Sequence, residues 1–400
     1  MQGRTTNNRS LENIVVPEEA QVTKLLRDLV RIPSVFPHEK EIGQFLVDRL
    51  DRQGFATFTH KIEEDRFNIF AEKGEGDKAI LFLGHMDTVP LYGEWNSNPF
   101  ELTRDGDRLY GLGAWDMKAG VAASIEAIRQ ASEDIRVKIL ITCDEENISK
   151  GAWKAVAEND VWFNDVALTV SAEPPIARHS SDDGLNLVTV GRGGRGLITI
   201  SVRGRSAHAT KHTDGINAIE EAAIITSSIN AMKPRTHRKL GPEIVFVRQF
   251  SGGTDSLSVP DFVSLEVEVL NSVSRLSDIR NKIEMLVQGL KSKSKINADT
   301  EVSLAVKKRE TPYLEPYVTD LRNSAVQKAL QVVRKEVAEP DIIYARSVAD
   351  DNVIANSFHI PLIRLGPKGD NAHMANEWVS ETGVEEAVRV FGSIVHAFRK

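Results

Sequence analysis

The stretch Leu81-Phe82-Leu83-Gly84-His85-Met86-Asp87-Thr88-Val89-Pro90 decides the reading of this chain, because an apolar strand carries a histidine and then an aspartate into a turn. Three further apolar runs end in residues of the same kind. Val137 to Cys143 stops at Asp144-Glu145-Glu146, Val166 to Val170 leads to Glu173, and Pro361 to Gly366 precedes His373. Asp116 joins them from Gly111-Leu112-Gly113-Ala114-Trp115-Asp116-Met117-Lys118. Each residue alone has an ordinary reading: a helix cap for Asp116, a solvated turn for Asp-Glu-Glu, a surface imidazole for either histidine. Five at comparable strand ends are a different matter, since an open α/β sheet gathers its ligands outside the carboxyl ends of the strands. Oxygen and imidazole donors there predict a zinc-type hydrolytic centre.

The elements around these runs predict the architecture. Helical periodicity spans Pro17 to Arg31 and Glu39 to Gln53, strands follow near Thr57–His60, Phe67–Ala71 and Ala79–Gly84, and Met117 to Ala131 reads as a helix. Strand and helix alternate through Val170, which predicts a mostly parallel mixed sheet flanked by helices. Near Gly191 the pattern changes. Gly191-Arg192-Gly193-Gly194-Arg195-Gly196 matches GxGxxG, but the strand-like Leu197-Ile198-Thr199-Ile200-Ser201-Val202 follows it. A dinucleotide site needs a helix at that place, so the glycines are read as a domain-crossing turn. Strand, helix (Gly215 to Met232), two strands (Glu243–Phe250 and Phe262–Leu270), helix (Leu276–Leu290) and strand (Thr300–Lys307) then form a small α+β unit. A helix from Thr319 to Val337 follows. Because His373 lies beyond the insert, the expected catalytic domain is discontinuous: residues 11–190 and 308–400, with a lid at 191–307.

Composition limits the functional classes. At 400 residues two domains are expected, and no run approaches the roughly 20 apolar residues that span a bilayer. The tail Met1 to Ser10 is polar and reads as loose, which gives a cytoplasmic expectation. A net charge of −7 argues against nucleic acid as the main partner. Cys143 is the only cysteine and ends an apolar run, so it reads as packing, with no disulfide and no CxxC site.

A paired-ion site needs a bridging carboxylate and terminal ligands for each ion. His85, Asp116, Glu146, Glu173 and His373 supply that set. Asp87 can accept a proton from the outward nitrogen of His85, fixing its tautomer. Glu145 is left free to take a proton from the attacking water and pass it to the leaving nitrogen.

These residues resemble the metal-dependent amidohydrolase family of acetylornithine deacetylase, succinyl-diaminopimelate desuccinylase, aminoacylase and glutamate carboxypeptidase. The likeness is carried by His85 to Pro90, Gly111 to Lys118, Asp144 to Glu146, Ser171 to Pro174 and Ala372 to Glu377, and it runs from Leu29 to Glu377. It implies that His85 and Glu173 hold one divalent ion, Glu146 and His373 the other, with Asp116 bridging. The expected metal is zinc, with cobalt or manganese as alternatives. The insert, with Val202 to His208 and Asp214 to Ala218, is similar to the family's lid and dimerisation domain. That implies a homodimer in which His208 enters the partner's site to steady the oxyanion. Two departures stand out: Leu257 occupies the place of a common lid asparagine, and Leu270 that of an arginine that grips the substrate carboxylate. Arg346 and Arg195 are weighed as substitutes against ordinary surface charge. The expected activity is cleavage of a C–N amide bond in an N-acyl amino acid or related small substrate. A carboxypeptidase or dipeptidase of the same fold and a non-catalytic dimeric metal-binding protein are the alternatives.

Overall fold

Nine strands form the central sheet, in the spatial order Ala56–Glu63, Arg66–Lys73, Arg136–Thr142, Ala79–His85, Val166–Ser171, Leu362–Arg364, Leu187–Arg192 and Tyr317–Val318, with Asp341–Ala345 also pairing with Leu187–Arg192. The computed structural model describes residues 19–129, 134–175 and 184–399. The polar tail at Met1–Ser10 and the end of the helix expected to reach Ala131 lie outside them.

The middle of the sheet is parallel: Ala79–His85 pairs in parallel with both Arg136–Thr142 and Val166–Ser171, and Leu362–Arg364 continues the direction. An antiparallel hairpin of the first two strands closes one edge. All seven residues of Ala79–His85 are buried, as expected for a strand covered on both faces. Its side chains alternate between two cores. Ile80 and Phe82 face the helices Gln21–Arg31, Lys40–Arg52, Ala119–Arg129, Ser324–Glu336 and Glu381–Ala397, where Phe82 meets Phe391 at 5.4 Å. Leu81 and Leu83 face Lys150–Glu158 and Asp350–Phe358. The consequence for function is that His85, Asp144 and Glu173 leave the sheet at neighbouring carboxyl ends.

The glycine run lies across the ends of two strands, with Gly193 alone between them. Leu187–Arg192 ends, and after Gly193 the strand Gly194–Arg203 begins, so no helix follows the glycines. That strand belongs to a second, antiparallel sheet ordered Ile244–Gly252, Phe262–Ser272, Gly194–Arg203, Glu301–Val306. Helices Ala218–Asn230 and Leu276–Ser292 close a separate core over one of its faces.

Several elements differ from the sequence expectation. The helix expected from Thr319 starts at Ser324, because the Asn323 side chain accepts from Ala325 N and Val326 N and caps it there. Glu381–Ala397, capped by Ser380, is a long helix that the sequence reading leaves out. So is a small sheet of two- and three-residue strands, Thr103–Asp105, Arg108–Tyr110, Gly369–Asp370 and Trp378–Ser380. Among the described residues no helix is long and apolar enough to cross a membrane.

Candidate metal centre and active-site cleft

Asp116 lies between two imidazoles. Its Oδ1 is 3.5 Å from His85 Nε2 and its Oδ2 is 3.3 Å from His373 Nε2. Glu146 Oε2 lies 3.1 Å from the same His373 nitrogen. One ligand atom each from His85, Asp116 and Glu146 falls within a 4.8 Å cluster. Residues 288 positions apart in sequence, His85 and His373, thus share one carboxylate.

The local chain explains this convergence. His85 is the last residue of its strand, and its Nδ1 lies 3.0 Å from the Asp87 carbonyl oxygen, against 3.6 Å from the Asp87 carboxylate. The orienting acceptor nearest to His85 is therefore main chain. The Asp87 carboxylate is engaged elsewhere, accepting from Glu146 N at 2.9 Å and Glu145 N at 3.3 Å, and so it fixes the acidic loop. Asp144 holds that loop from the other side: it takes a left-handed conformation, φ 74°, and accepts from Lys150 N at 2.9 Å.

Asp116 is placed by a residue that the sequence reading quoted without assigning a role. The buried Glu377 carboxylate accepts from Gly113 N, Trp115 N and Asp116 N at 2.8, 2.8 and 2.9 Å. It joins the Gly111–Lys118 segment to the loop that carries His373. Gly113 must be glycine, since its φ is 71° and a Cβ would stand 2.4 Å from Thr88 Cγ2. Gly120 lets the following helix approach the Glu173 segment, where a Cβ would meet Ala172 O at 1.7 Å.

Glu173 lines the same cleft, but its contacts are arginines: Oε2 is 2.5 Å from Arg364 Nη1 and 3.6 Å from Arg192 Nη2. Arg192 is almost fully buried and also meets Asp351 Oδ2 at 3.0 Å. The nearest contact of each arginine is to the same Glu173 oxygen. The sequence offered a signal for these two arginines, because each interrupts an apolar strand, and a charge inside such a run requires a buried partner.

Burial dominates the electrostatics of the carboxylates gathered around the two imidazoles. Burial pushes Glu146 up to about 7, and hydrogen bonds to Asp116 and Glu146 push His373 up to about 11. Burial also opposes a charge on His85, yet hydrogen bonds to Asp116 and Asp87 raise it well above the ordinary imidazole range. Glu145 is raised well above the carboxylate range by burial, with Glu173, Glu146 and Asp350 adding to the effect and His85 opposing it. Two imidazoles among three carboxylates, Asp116, Glu146 and Glu173, form a donor set of nitrogen and oxygen suited to divalent ions, so the residues present fit a metal centre. Glu145 stands beside this set, 4.0 Å from His85 Nε2.

The cleft has a volume of about 330 Å³ and includes Asp116, Glu145, Glu146, Glu173 and His373. His208 is not among its lining residues within one chain; it is exposed and bonds locally, Nδ1 to Thr210 Oγ1 at 2.8 Å. Arg195 lines the cleft and pairs with Glu268. Arg346 is exposed and does not line it. Cys143 is buried, in keeping with a packing role.

Comparison with known proteins agrees with this geometry. Residues 81–397 match the model of peptidase family M20/M25/M40. A succinyl-diaminopimelate desuccinylase of Nitratiruptor is 25% identical over 385 residues, covering 94% of this chain and 100% of that protein. Another, of Nitrosospira multiformis, is 28% identical, covering 92% and 95%. Among solved structures, the aminopeptidase PepT of Bacillus cereus superposes with a TM-score of 0.75 at 20% identity, covering 95% of this chain and 98% of that one. A dinuclear metal-binding M20 peptidase of Bacillus subtilis gives 0.68 at 17% identity, covering 94% and 96%. With the family model spanning most of the length and an acid-and-imidazole centre at the strand ends, the chain belongs to peptidase family M20/M25/M40 and is a metal-dependent hydrolase of C–N amide bonds.

Proposed function

We propose that the protein removes the acyl group from small N-acyl amino acids, in the manner of a deacetylase or desuccinylase, with Glu145 as general base and acid. The observation that carries this reading is the convergence of His85 and His373 on the two oxygens of Asp116, with Glu145 in the same cleft and outside the ligand cluster. The names of the two desuccinylases above support the choice of substrate class.

In this proposal His85 and Glu173 hold one divalent ion, Glu146 and His373 the other, and Asp116 serves both. Such ions, when bound, polarise the scissile carbonyl and lower the pKa of the attacking water. The chain supplies the rest. The Asp87 carbonyl keeps the His85 proton on Nδ1 and leaves Nε2 as the donor atom. Arg364 and Arg192 hold Glu173 in the cleft. Glu145 takes a proton from water and delivers it to the departing nitrogen. His208, supplied by a second copy, donates to the oxyanion. Zinc, a homodimer and a cytoplasmic setting belong to the same proposal. The dimer has physical support in the strand Ile244–Gly252, which ends its sheet and exposes Ile244 and Phe246.

The test is a panel of N-acetyl and N-succinyl amino acids against dipeptides, with the metal-loaded protein and again after chelation. Turnover of acyl amino acids that disappears on chelation and returns with metal is expected. Preferential turnover of dipeptides would make the protein a peptidase, and turnover of neither would overturn this choice of substrate class.

A further inference from the structure

Four guanidinium groups line the cleft: Arg192, Arg195, Arg309 and Arg364. Three have carboxylate partners, Arg192 with Asp351, Arg364 with Glu173 and Arg195 with Glu268. Arg309 differs. Among the described residues no carboxylate lies within 4.0 Å of it, and its hydrogen bonds all go to backbone carbonyls: Nε to Thr311 at 2.8 Å, Nη2 to Pro312 at 2.7 Å and to Ile148 at 3.2 Å. These contacts use Nε and Nη2 and not Nη1. The guanidinium lies 4.7 Å from the centre of the Tyr313 ring, which also lines the cleft. A half-buried cation, packed on an aromatic face and left without a carboxylate partner where the other three arginines of the cleft have one, is suited to an anion brought from outside.

We propose that Arg309 is the anion receptor of this cleft and holds a free carboxylate of the substrate, in place of the lid groups missing at Leu257 and Leu270. The assignment rests on the amide-hydrolase reading above and adds to it the residue that recognises the free carboxylate. Position supports it as well as charge. Thr311 Oγ1 donates to Ile148 O at 2.7 Å, and Arg309 shares that acceptor, so the receptor segment is pinned to the loop that carries Glu145 and Glu146. A carboxylate held by Arg309 therefore stands at a fixed offset from the proposed base. Arg309 also lies on the chain that returns from Glu301–Val306 to the central sheet, so the receptor belongs to the junction between the two sheets.

The test pairs N-acetyl amino acids with their carboxamides, which differ only in the charge of the recognised group. Each pair is measured with wild type, Arg309→Gln and Arg309→Lys by kcat/KM. Binding is measured by calorimetry on the metal-loaded full chain carrying Glu145→Gln, with and without the Arg309 substitutions. Arg309→Gln is expected to lower kcat/KM and affinity for the acids by at least about 30-fold while moving the carboxamides little, and Arg309→Lys to restore part of the loss. Equal losses on acid and carboxamide would assign Arg309 a purely structural role, and no loss would remove it from recognition; either overturns the proposal. If wild type hydrolyses neither these compounds nor their N-succinyl counterparts, the functional reading fails by itself, and calorimetry still decides the receptor: acids bound no more tightly than carboxamides refute it.

Discussion

The two sheets of this molecule treat charge in opposite ways. In the central sheet, charged groups are buried and held by partners: Arg66 lies between Glu39 and Asp144, and Arg192 and Arg364 lie against Asp351 and Glu173. In the inserted sheet the cations stay half-exposed on the face away from the helices, where Arg248 bridges Glu266 and the buried Glu268, Arg195 meets Glu268, and Lys307 meets Glu266. A buried pair loses heavily when one member is removed, because the other charge stays uncompensated, whereas an exposed pair loses little. The contrast locates the chemistry, since only the first sheet concentrates acids whose ordinary ionisation burial has displaced.

The largest effect should come from Glu145 itself. Glu145→Gln keeps the shape of the cleft and removes the proton acceptor, so turnover should fall by roughly 10² to 10⁴-fold, the usual scale of general base catalysis, with metal content near that of wild type. Metal analysis beside the kinetics checks this. Loss of metal would make Glu145 a ligand and remove it from the proton-transfer role.

Next comes the buried side of the comparison. Arg66 is 6% exposed, its Nη2 lies 2.6 Å from Glu39 and 2.9 Å from Asp144, and both acids are 1% exposed. Arg66→Met should cost about 3–5 kcal/mol, because two interior carboxylates lose their cation. A thermal midpoint lowered by roughly 10 °C would register it. The double variant with Glu39→Gln should recover part of the loss, since one orphaned charge is then gone. A single variant as stable as wild type would contradict the buried-pair account.

The positions that sequence made legible were those set by period and by strand ends. His85 and Glu146 stand just where apolar strands stop, and a parallel sheet carries such ends to one side, so their nearness follows from pattern, whereas Asp116 and His373 lie outside the strands and were legible through the motifs around them. What holds them depends instead on which strands become neighbours. Glu377 is 261 positions from Asp116, and its three amide contacts have no periodic signature. The same is true of Arg364 on Glu173, although a charge within an apolar strand was a clue. The helix Glu381–Ala397 lay beyond the last motif, and strands of two or three residues are too short to alternate visibly. Which Asp87 oxygen lies nearest His85 is not legible in sequence: it is the carbonyl, because the carboxylate is taken by the acidic loop.

On the inserted sheet a moderate effect is expected at the open edge. Ile244 and Phe246 are each 39% exposed on the terminal strand. If two copies join there, Phe246→Lys should weaken association at least about tenfold, roughly 1.4 kcal/mol, without unfolding the chain. Analytical ultracentrifugation over a concentration series measures it. A wild type that stays monomeric, or a variant that dimerises unchanged, would remove this edge as the interface.

The smallest effect belongs to the surface network, where pH gives a sign as well as a size. The hydrogen bond from Lys307, with Arg248 assisting, holds the Glu266 carboxyl below its ordinary value of 4.5, although what burial there is opposes this. A carboxyl depressed in the folded state contributes stability that is present above the unfolded value and is lost as pH falls through the folded one. Lys307→Met should therefore lower stability by no more than about 1 kcal/mol at pH 7. Below pH 4.5 the gap between variant and wild type should close as Glu266 takes up its proton in both. Thermal midpoints of the two proteins from pH 7 to pH 3 give the comparison. A gap of several degrees that persists unchanged in acid would mean that Lys307 acts through packing of its aliphatic stem, and the open face would then resemble the buried sheet more than its ion pairs suggest.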